Sequence, residues 1–95
     1  MDHHDGHRER LRERYLRMGL DAFGEHEVLE LLLTYAIPRR DTKPIAYALL
    51  DRFGSLHRVL QATPQELMKT PGIGDSAAVF INMMVPLLRA LSTWR

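Results

Sequence analysis

Thr70-Pro71-Gly72-Ile73-Gly74-Asp75, set between Leu67-Met68 and Ala77-Ala78-Val79-Phe80-Ile81, decides how the rest of this chain is read. A proline ahead of two glycines that flank one aliphatic residue lets a helix stop and another begin within about four or five residues. Lacking a Cβ, Gly72 and Gly74 leave their amides open to an anion, just ahead of a helix N-terminus carrying partial positive charge. Phosphate is the natural ligand for such a corner. A tight helix connection with no ligand is the plain alternative.

The flanking residues support two helices around the turn. Thr63-Pro64-Gln65-Glu66 supplies a threonine N-cap, proline at the first helical position and glutamate at the third, so a short helix is expected from Pro64 to Thr70. Asp75 or Ser76 is expected to cap the next helix, where Phe80, Met83, Met84, Leu87, Leu88 and Leu91 recur at spacings of three and four. Val79, Ile81 and Val85 widen that face, which predicts the central helix of a bundle, kinked or redirected at Pro86. This is the pattern of a helix-hairpin-helix, a motif that holds the nucleic-acid backbone without reading bases.

The chain also resembles itself. Glu30-Leu31-Leu32-Leu33-Thr34-Tyr35-Ala36-Ile37 aligns with Glu66-Leu67-Met68-Lys69-Thr70-Pro71-Gly72-Ile73 at an offset of 36, and Asp41-Thr42 with Asp75-Ser76 at an offset of 34. The first turn, Ile37-Pro38-Arg39-Arg40-Asp41, therefore carries two extra residues and no glycine. Residues 26–53 read as a degenerate first unit and residues 64–91 as the second, related by pseudo-symmetry.

Ninety-five residues with 45% hydrophobic content suit one small domain over 7–95, behind a disordered tail at residues 1–6. The chain has no cysteine, which removes disulfides and thiolate metal sites. Neither a signal-type apolar run nor an uninterrupted membrane-length apolar span is evident, so a cytoplasmic protein without membrane contact is expected. Net charge is only +1, but residues 39–58 hold Arg39, Arg40, Lys43, Arg52 and Arg58 against Asp41 and Asp51. That hairpin is locally basic and suits a few phosphate contacts.

The layout that follows is all-α, a compact bundle of about six short helices containing the two pseudo-symmetric units. His7 to Leu20 forms the first, with Leu11, Tyr15 and Met18 on one face and a Glu13–Arg17 pair. Glu25 to Tyr35 follows, with Val28, Leu31, Leu32 and Tyr35 inward, then Thr42 to Phe53 with Ile45, Leu49, Leu50 and Phe53 inward and Gly54 as its stop. Ser55 caps a short fourth helix with Leu56, Val59 and Leu60; the helices from Pro64 and Ser76 complete the set.

His7-Arg8-Glu9-Arg10-Leu11, Glu27-Val28-Leu29-Glu30-Leu31-Leu32-Leu33, Ile37-Pro38-Arg39-Arg40-Asp41-Thr42, Arg52-Phe53-Gly54-Ser55-Leu56 and Pro71-Gly72-Ile73-Gly74, in that order, resemble the N-terminal domain of the bacterial RadC-like (UPF0758) family. The likeness spans residues 7–91. It implies a helix-hairpin-helix domain ahead of a JAB/MPN-type domain with a zinc-site signature, in a family named for DNA repair. That zinc site needs a His-x-His pair followed by Ser and Asp, and none follows Trp94, so the chain is read as a truncated form of a longer protein. Zinc is expected only in the absent domain. Two departures stand out: Asp75, which repels phosphate, and Gly24, where relatives often carry a serine cap, at a cost of a few tenths of a kcal/mol.

The expected nucleic-acid-binding set is Gly72, Ile73, Gly74 and Ser76 through their amides, with Lys69, Arg39 and Arg40 adding charge. The partner would be DNA, duplex, branched or single-stranded, bound weakly, and a monovalent cation held by hairpin carbonyls would fit the motif. No catalytic constellation can be assembled, so no enzyme activity is expected of this chain. His3, His4 and His7 would bind a metal only if the tail folded, and His26 and His57 read as isolated surface residues. Tyr15, Tyr35, Tyr47 and Trp94 read as core or rim. The competing expectation is a scaffolding or protein-interaction domain whose hairpin is merely structural.

Overall fold

The computed structural model describes residues 3–94, with side chains from Gly6 onward. Its helices are α1 (His3–Met18), α2 (Glu25–Ala36), α3 (Thr42–Phe53), α4 (Leu56–Gln61), α5 (Pro64–Leu67), α6 (Asp75–Asn82) and α7 (Met84–Thr93), with a single 3-10 turn at Leu20–Ala22. Among the described residues there is no strand, so the all-α expectation holds.

Local chemistry sets most of these boundaries. Asp41 caps α3 by accepting from the Lys43 amide at 3.1 Å, Ser55 caps α4 from Arg58 at 3.2 Å, and Thr63 caps α5 from Glu66 at 3.1 Å. Gly54 ends α3 at φ +95° with its amide on the Leu50 carbonyl. At Gly24 the missing hydroxyl is replaced from the other direction, since the Glu27 carboxylate accepts from the Gly24 amide at 3.0 Å.

Helix α2, not the last helix, is the central rod. Leu29 and Leu33 are fully buried with Ile45, Ala46 and Leu49 of α3, Val59 of α4, Leu67 of α5, Ile73, and Ala77, Ala78 and Ile81 of α6. The small residues of α6 let it lie close against α2, and this packing, rather than the broader Leu/Met stripe, chooses its inward face. The expected inward set Phe80, Met83, Met84, Leu87, Leu88 and Leu91 is corrected accordingly. Met83, Leu87, Leu88 and Leu91 are exposed, and α7 buries no residue.

Proline explains where that long segment divides. Pro86 has no N–H to give the Asn82 carbonyl and its ring crowds that group, so α6 ends at Asn82 and α7 restarts after Met83. Taken together the two halves make a 19-residue apolar run, Asp75–Thr93, long and apolar enough by composition to cross a membrane, with mean hydropathy 1.4. Asp75 opens this run and Arg89 interrupts it, so the expectation of no uninterrupted apolar span is kept while a membrane-length helical segment is added to it.

Other inward faces rotate in the same way. Leu11 is buried, but Tyr15 and Met18 are exposed, and Tyr35 is 63% exposed although it was expected inward. Leu31 is buried as expected, whereas Val28 and Leu32 are only half-buried, because α2 turns Leu29 and Leu33 to the core and Glu30 and Thr34 toward α1. Helix α1 starts at His3, four residues before the expected start, and stops at Met18. Met1 and Asp2, and the side chains of His3 and His4 named as metal candidates, lie outside the described residues. Helix α5 stops at Leu67, short of Thr70, and N-cap Gly74, not Asp75 or Ser76, opens α6.

Candidate nucleic-acid interface

The candidate site lies where the α2–α3 connection meets the α5–α6 connection. Both turns use one backbone device, a residue at positive φ two positions before a helix N-cap: Arg39 at +63° before Asp41, and Gly72 at +94° before Gly74. The two devices are 33 residues apart, so relative to the Glu30/Glu66 offset of 36 the first turn is three residues longer, one more than sequence matching gives.

Gly72 is strongly favoured by both backbone and space. A β-carbon there would stand 2.8 Å from Ile45 Cδ1 and 3.0 Å from Cγ1, and the backbone is left-handed besides. The same position lies 3.6 Å from Arg40 Nη1, so a guanidinium of the first connection stands over the turn of the second. Gly74 is different. Its backbone is extended and a β-carbon would meet nothing within 4 Å.

The amides of the expected grip divide into spent and open. Ile73 is buried and its N–H donates to the Thr70 carbonyl at 3.1 Å, so it is already satisfied. Among the described residues no backbone carbonyl accepts from the Gly72 or Gly74 amides, and Gly74 offers α6 no side-chain cap, so the first-turn amides of Asp75, Ser76 and Ala77 remain open. Asp75 and Ser76 are exposed at that end. Lys69 is exposed and sits 3.6 Å from Glu66, which also faces Arg52 at 3.5 Å, so Lys69 is turned partly away from the corner. The Thr70 hydroxyl is buried and has no hydrogen-bond partner.

Behind this corner lies a polar core that the sequence did not disclose. Arg8, 7% exposed, donates Nη1 to the Thr34 carbonyl at 2.7 Å and Nη2 to the carbonyls of Ile37 and Arg40, the latter at 2.7 Å. One guanidinium thus gathers the open carbonyls at the end of α2 and fixes the Arg39-Arg40 turn. Glu30, 1% exposed, sits between His7 Nε2 and His26 Nδ1, each at 2.7 Å, and the His26 ring stacks on Tyr47 at 4.8 Å. His7 and His26 are therefore structural partners of a buried carboxylate rather than tail and surface residues. The nearest cue was the place of Arg8 and Glu30 within the ordered motifs.

At the start of α2, the Gly24 amide and then the Arg14 guanidinium, 2.8 Å away, hold the Glu27 carboxyl below its ordinary range. Among the described residues no group of three or more His, Asp or Glu side chains could hold a metal ion.

The model of the UPF0758 N-terminal domain matches residues 4–79. The chain belongs to the UPF0758 family. A UPF0758 protein of Fusobacterium nucleatum subsp. nucleatum is 49% identical over 79 residues, which cover 83% of this chain and 34% of that protein. The chain thus spans about a third of the length of the curated relative it matches. No solved structure matches it. This UPF0758 domain ends its family match at Val79, so α7 lies beyond the matched region.

Proposed function

We propose that this UPF0758 domain is a non-sequence-specific DNA-binding module, cytoplasmic and non-enzymatic in itself, which grips backbone phosphate in the corner between its two helix connections. The observation that carries the reading is the stance of Arg40 over Gly72, 3.6 Å from where a β-carbon would be. A charge-bearing side chain and open backbone amides then converge on one spot, the combination that positions a phosphate without reading sequence. Gly72, Gly74 and Ser76 supply amides, Arg40 supplies charge at the corner, and Arg39 and Lys69 extend the field around it. Ile73 serves as the apolar peg beneath, its own amide spent on Thr70.

A second reading is favoured by Asp75, whose carboxylate stands exposed at the first position of α6. In it the hairpin is structural, and the domain positions the remaining two thirds of a longer UPF0758 protein, a JAB/MPN-type metal-dependent domain.

Fluorescence anisotropy with short duplex, forked and single-stranded DNA across a salt series separates the two. The DNA reading expects weak affinity at low salt, with log K falling against log salt at a slope of about −2 to −3 for two or three phosphate contacts on duplex. Gly74→Val is the diagnostic variant: its branched side chain covers the open amides, and the extended backbone and empty surroundings leave the fold intact. Binding should vanish while helicity by circular dichroism is retained and Tm falls only by the modest cost of a poorer N-cap, up to about 1 kcal/mol. Absence of binding by the native chain at low salt, or unaltered binding by Gly74→Val, defeats the proposal.

A further inference from the structure

We infer, resting on the proposed phosphate grip and adding to it the class of DNA, that the groove between α1 and α2 seats an unpaired nucleobase, so that DNA with a single-stranded stretch is held better than intact duplex. The groove measures about 470 Å3, and its walls include Arg12, Tyr15, Leu20, Leu31, Leu32 and Tyr35. Tyr35, in the last turn of α2, is 63% exposed; Tyr15 and Leu20 are exposed as well, and Leu31 is buried behind them. Two aromatic rings and an apolar lining thus stand open to solvent beside a guanidinium.

Charge, position and size select the occupant. The Arg12 guanidinium carbon lies over the Tyr35 ring, 4.6 Å from its centroid, and Nε is buried with no hydrogen-bond partner. Among the described residues no carboxylate pairs with Arg12. An aromatic face beside an unpaired cation suits a ligand that is both flat and anionic, which describes a nucleotide. Arg8, one helical turn before Arg12, donates to the carbonyls of Ile37 and Arg40, and Tyr35 stands two residues before Ile37. The Tyr35 end of the groove therefore adjoins the turn that sends the Arg40 guanidinium over Gly72. A strand with one phosphate in the corner needs only a few more nucleotides to reach it. A stable protein interface takes about 800 Å2 from each partner, whereas the stretches Arg12 to Leu16 and Leu31 to Tyr35 that flank this groove are little more than one turn of each helix. Bases of an intact duplex are paired and stacked inside, so only an unpaired one can enter.

The test compares, by fluorescence anisotropy at low salt, a blunt duplex with the same duplex carrying a single-stranded thymine overhang. The overhang should tighten binding by about five- to 100-fold, the range for one stacked base. Tyr35→Ala should erase that preference while leaving blunt-duplex affinity and circular dichroism unchanged, since the side chain is exposed. Arg12→Gln should lower the slope of log K against log salt for the overhang by about 0.7, the loss of one single-strand phosphate contact. A 2-aminopurine in the overhang should lose fluorescence on binding the native chain and keep it with Tyr35→Ala. Equal affinity for the two DNAs, or a preference that survives Tyr35→Ala, overturns the groove assignment and leaves the corner standing. Binding of both DNAs that survives Gly74→Val defeats the corner and the groove assignment with it. A groove that ignores the overhang but takes up a labelled peptide of alternating Leu and Glu, with uptake lost in Tyr35→Ala, also overturns the assignment, since the occupant would then be a protein.

Discussion

The two helix connections reach the same backbone geometry by opposite means. At Gly72 the left-handed turn is filled by the residue that adopts it without strain, and any β-carbon there would force the Ile45 side chain to shift. At Arg39 the same turn is imposed on a residue with a β-carbon, at a cost of about 1–2 kcal/mol. The first connection is then tied down, by Asp41 capping α3 and by Arg8 gathering the carbonyls of Thr34, Ile37 and Arg40. The second is left bare, with no side-chain cap on α6. One connection holds its shape by internal bonds and lends a guanidinium; the other keeps amides open. This division is what the proposed phosphate grip requires.

The sharpest way to break the comparison is to place a branched side chain in each turn. Gly72→Val combines a left-handed β-branched residue with overpacking against Ile45, for a loss of about 2–5 kcal/mol. Urea denaturation should show that variant largely unfolded or with a far lower midpoint, whereas Gly74→Val loses at most about 1 kcal/mol as a poorer N-cap. Joint replacement of both glycines, the natural choice from sequence, would therefore confuse unfolding with loss of binding. Native-like stability of Gly72→Val would mean that the contact with Ile45 is not rigid.

Arg8→Ala attacks the other side. Three backbone carbonyls lose their donor at a buried site, which costs about 2–4 kcal/mol and frees the Arg39-Arg40 turn. Hydrogen exchange should accelerate at the end of α2 and the start of α3 before it does so around Leu67 and Ile73. A uniform change across both connections would show that Arg8 does not hold the first one specifically.

What the sequence disclosed follows the range of the forces involved. Caps and stops act within three or four residues, so Ser55, Thr63, Gly54 and the bounds of α3 were legible from residue type and spacing. The family likeness was legible in the ordered motifs and is borne out by the match over residues 4–79. Inward faces were less so, because an apolar stripe names a preferred side only if some partner exists to cover it. On α6 close packing against α2 selected Ala77 and Ala78 over the larger residues, and α7 touches α4 and α6 without fully burying any residue. The aligned pair Glu30 and Glu66 shows the limit: one is buried between two imidazoles, the other exposed beside Arg52 and Lys69. Burial depends on what lies across the fold, 23 residues away for His7 and Glu30, and local pattern carries no record of it.

A smaller effect sharpens the contrast at Arg39 itself. Arg39→Gly relieves the left-handed strain of about 1–2 kcal/mol but adds freedom to the unfolded chain worth about 0.4–1 kcal/mol, leaving a net gain of about 0.8 kcal/mol. The urea midpoint should rise slightly as the midpoint for DNA binding moves to lower salt. Stability gained while binding is lost would identify an arginine kept for charge at the expense of the fold. If stability falls instead, the guanidinium contributes to packing and the strain argument fails.

The smallest effect compares two glycine caps. Gly24 and Gly74 both open a helix, but three residues on the first meets the Glu27 carboxylate and the second meets Ala77. Because Glu27 is held below its ordinary range in the folded protein, chiefly by the Gly24 amide and then by Arg14, its contribution is present above the unfolded value of about 4.3 and is lost as pH falls through the folded value. Glu27→Gln should therefore lower stability at neutral pH by less than about 1 kcal/mol, the side chain being partly solvated. Its stability curve should converge with that of the native chain in acid. Curves that stay parallel down to acid pH would show that the packing of the side chain, not its charge, closes the cap. The bare cap at Gly74 would then have lost the comparison that makes its open amides unusual.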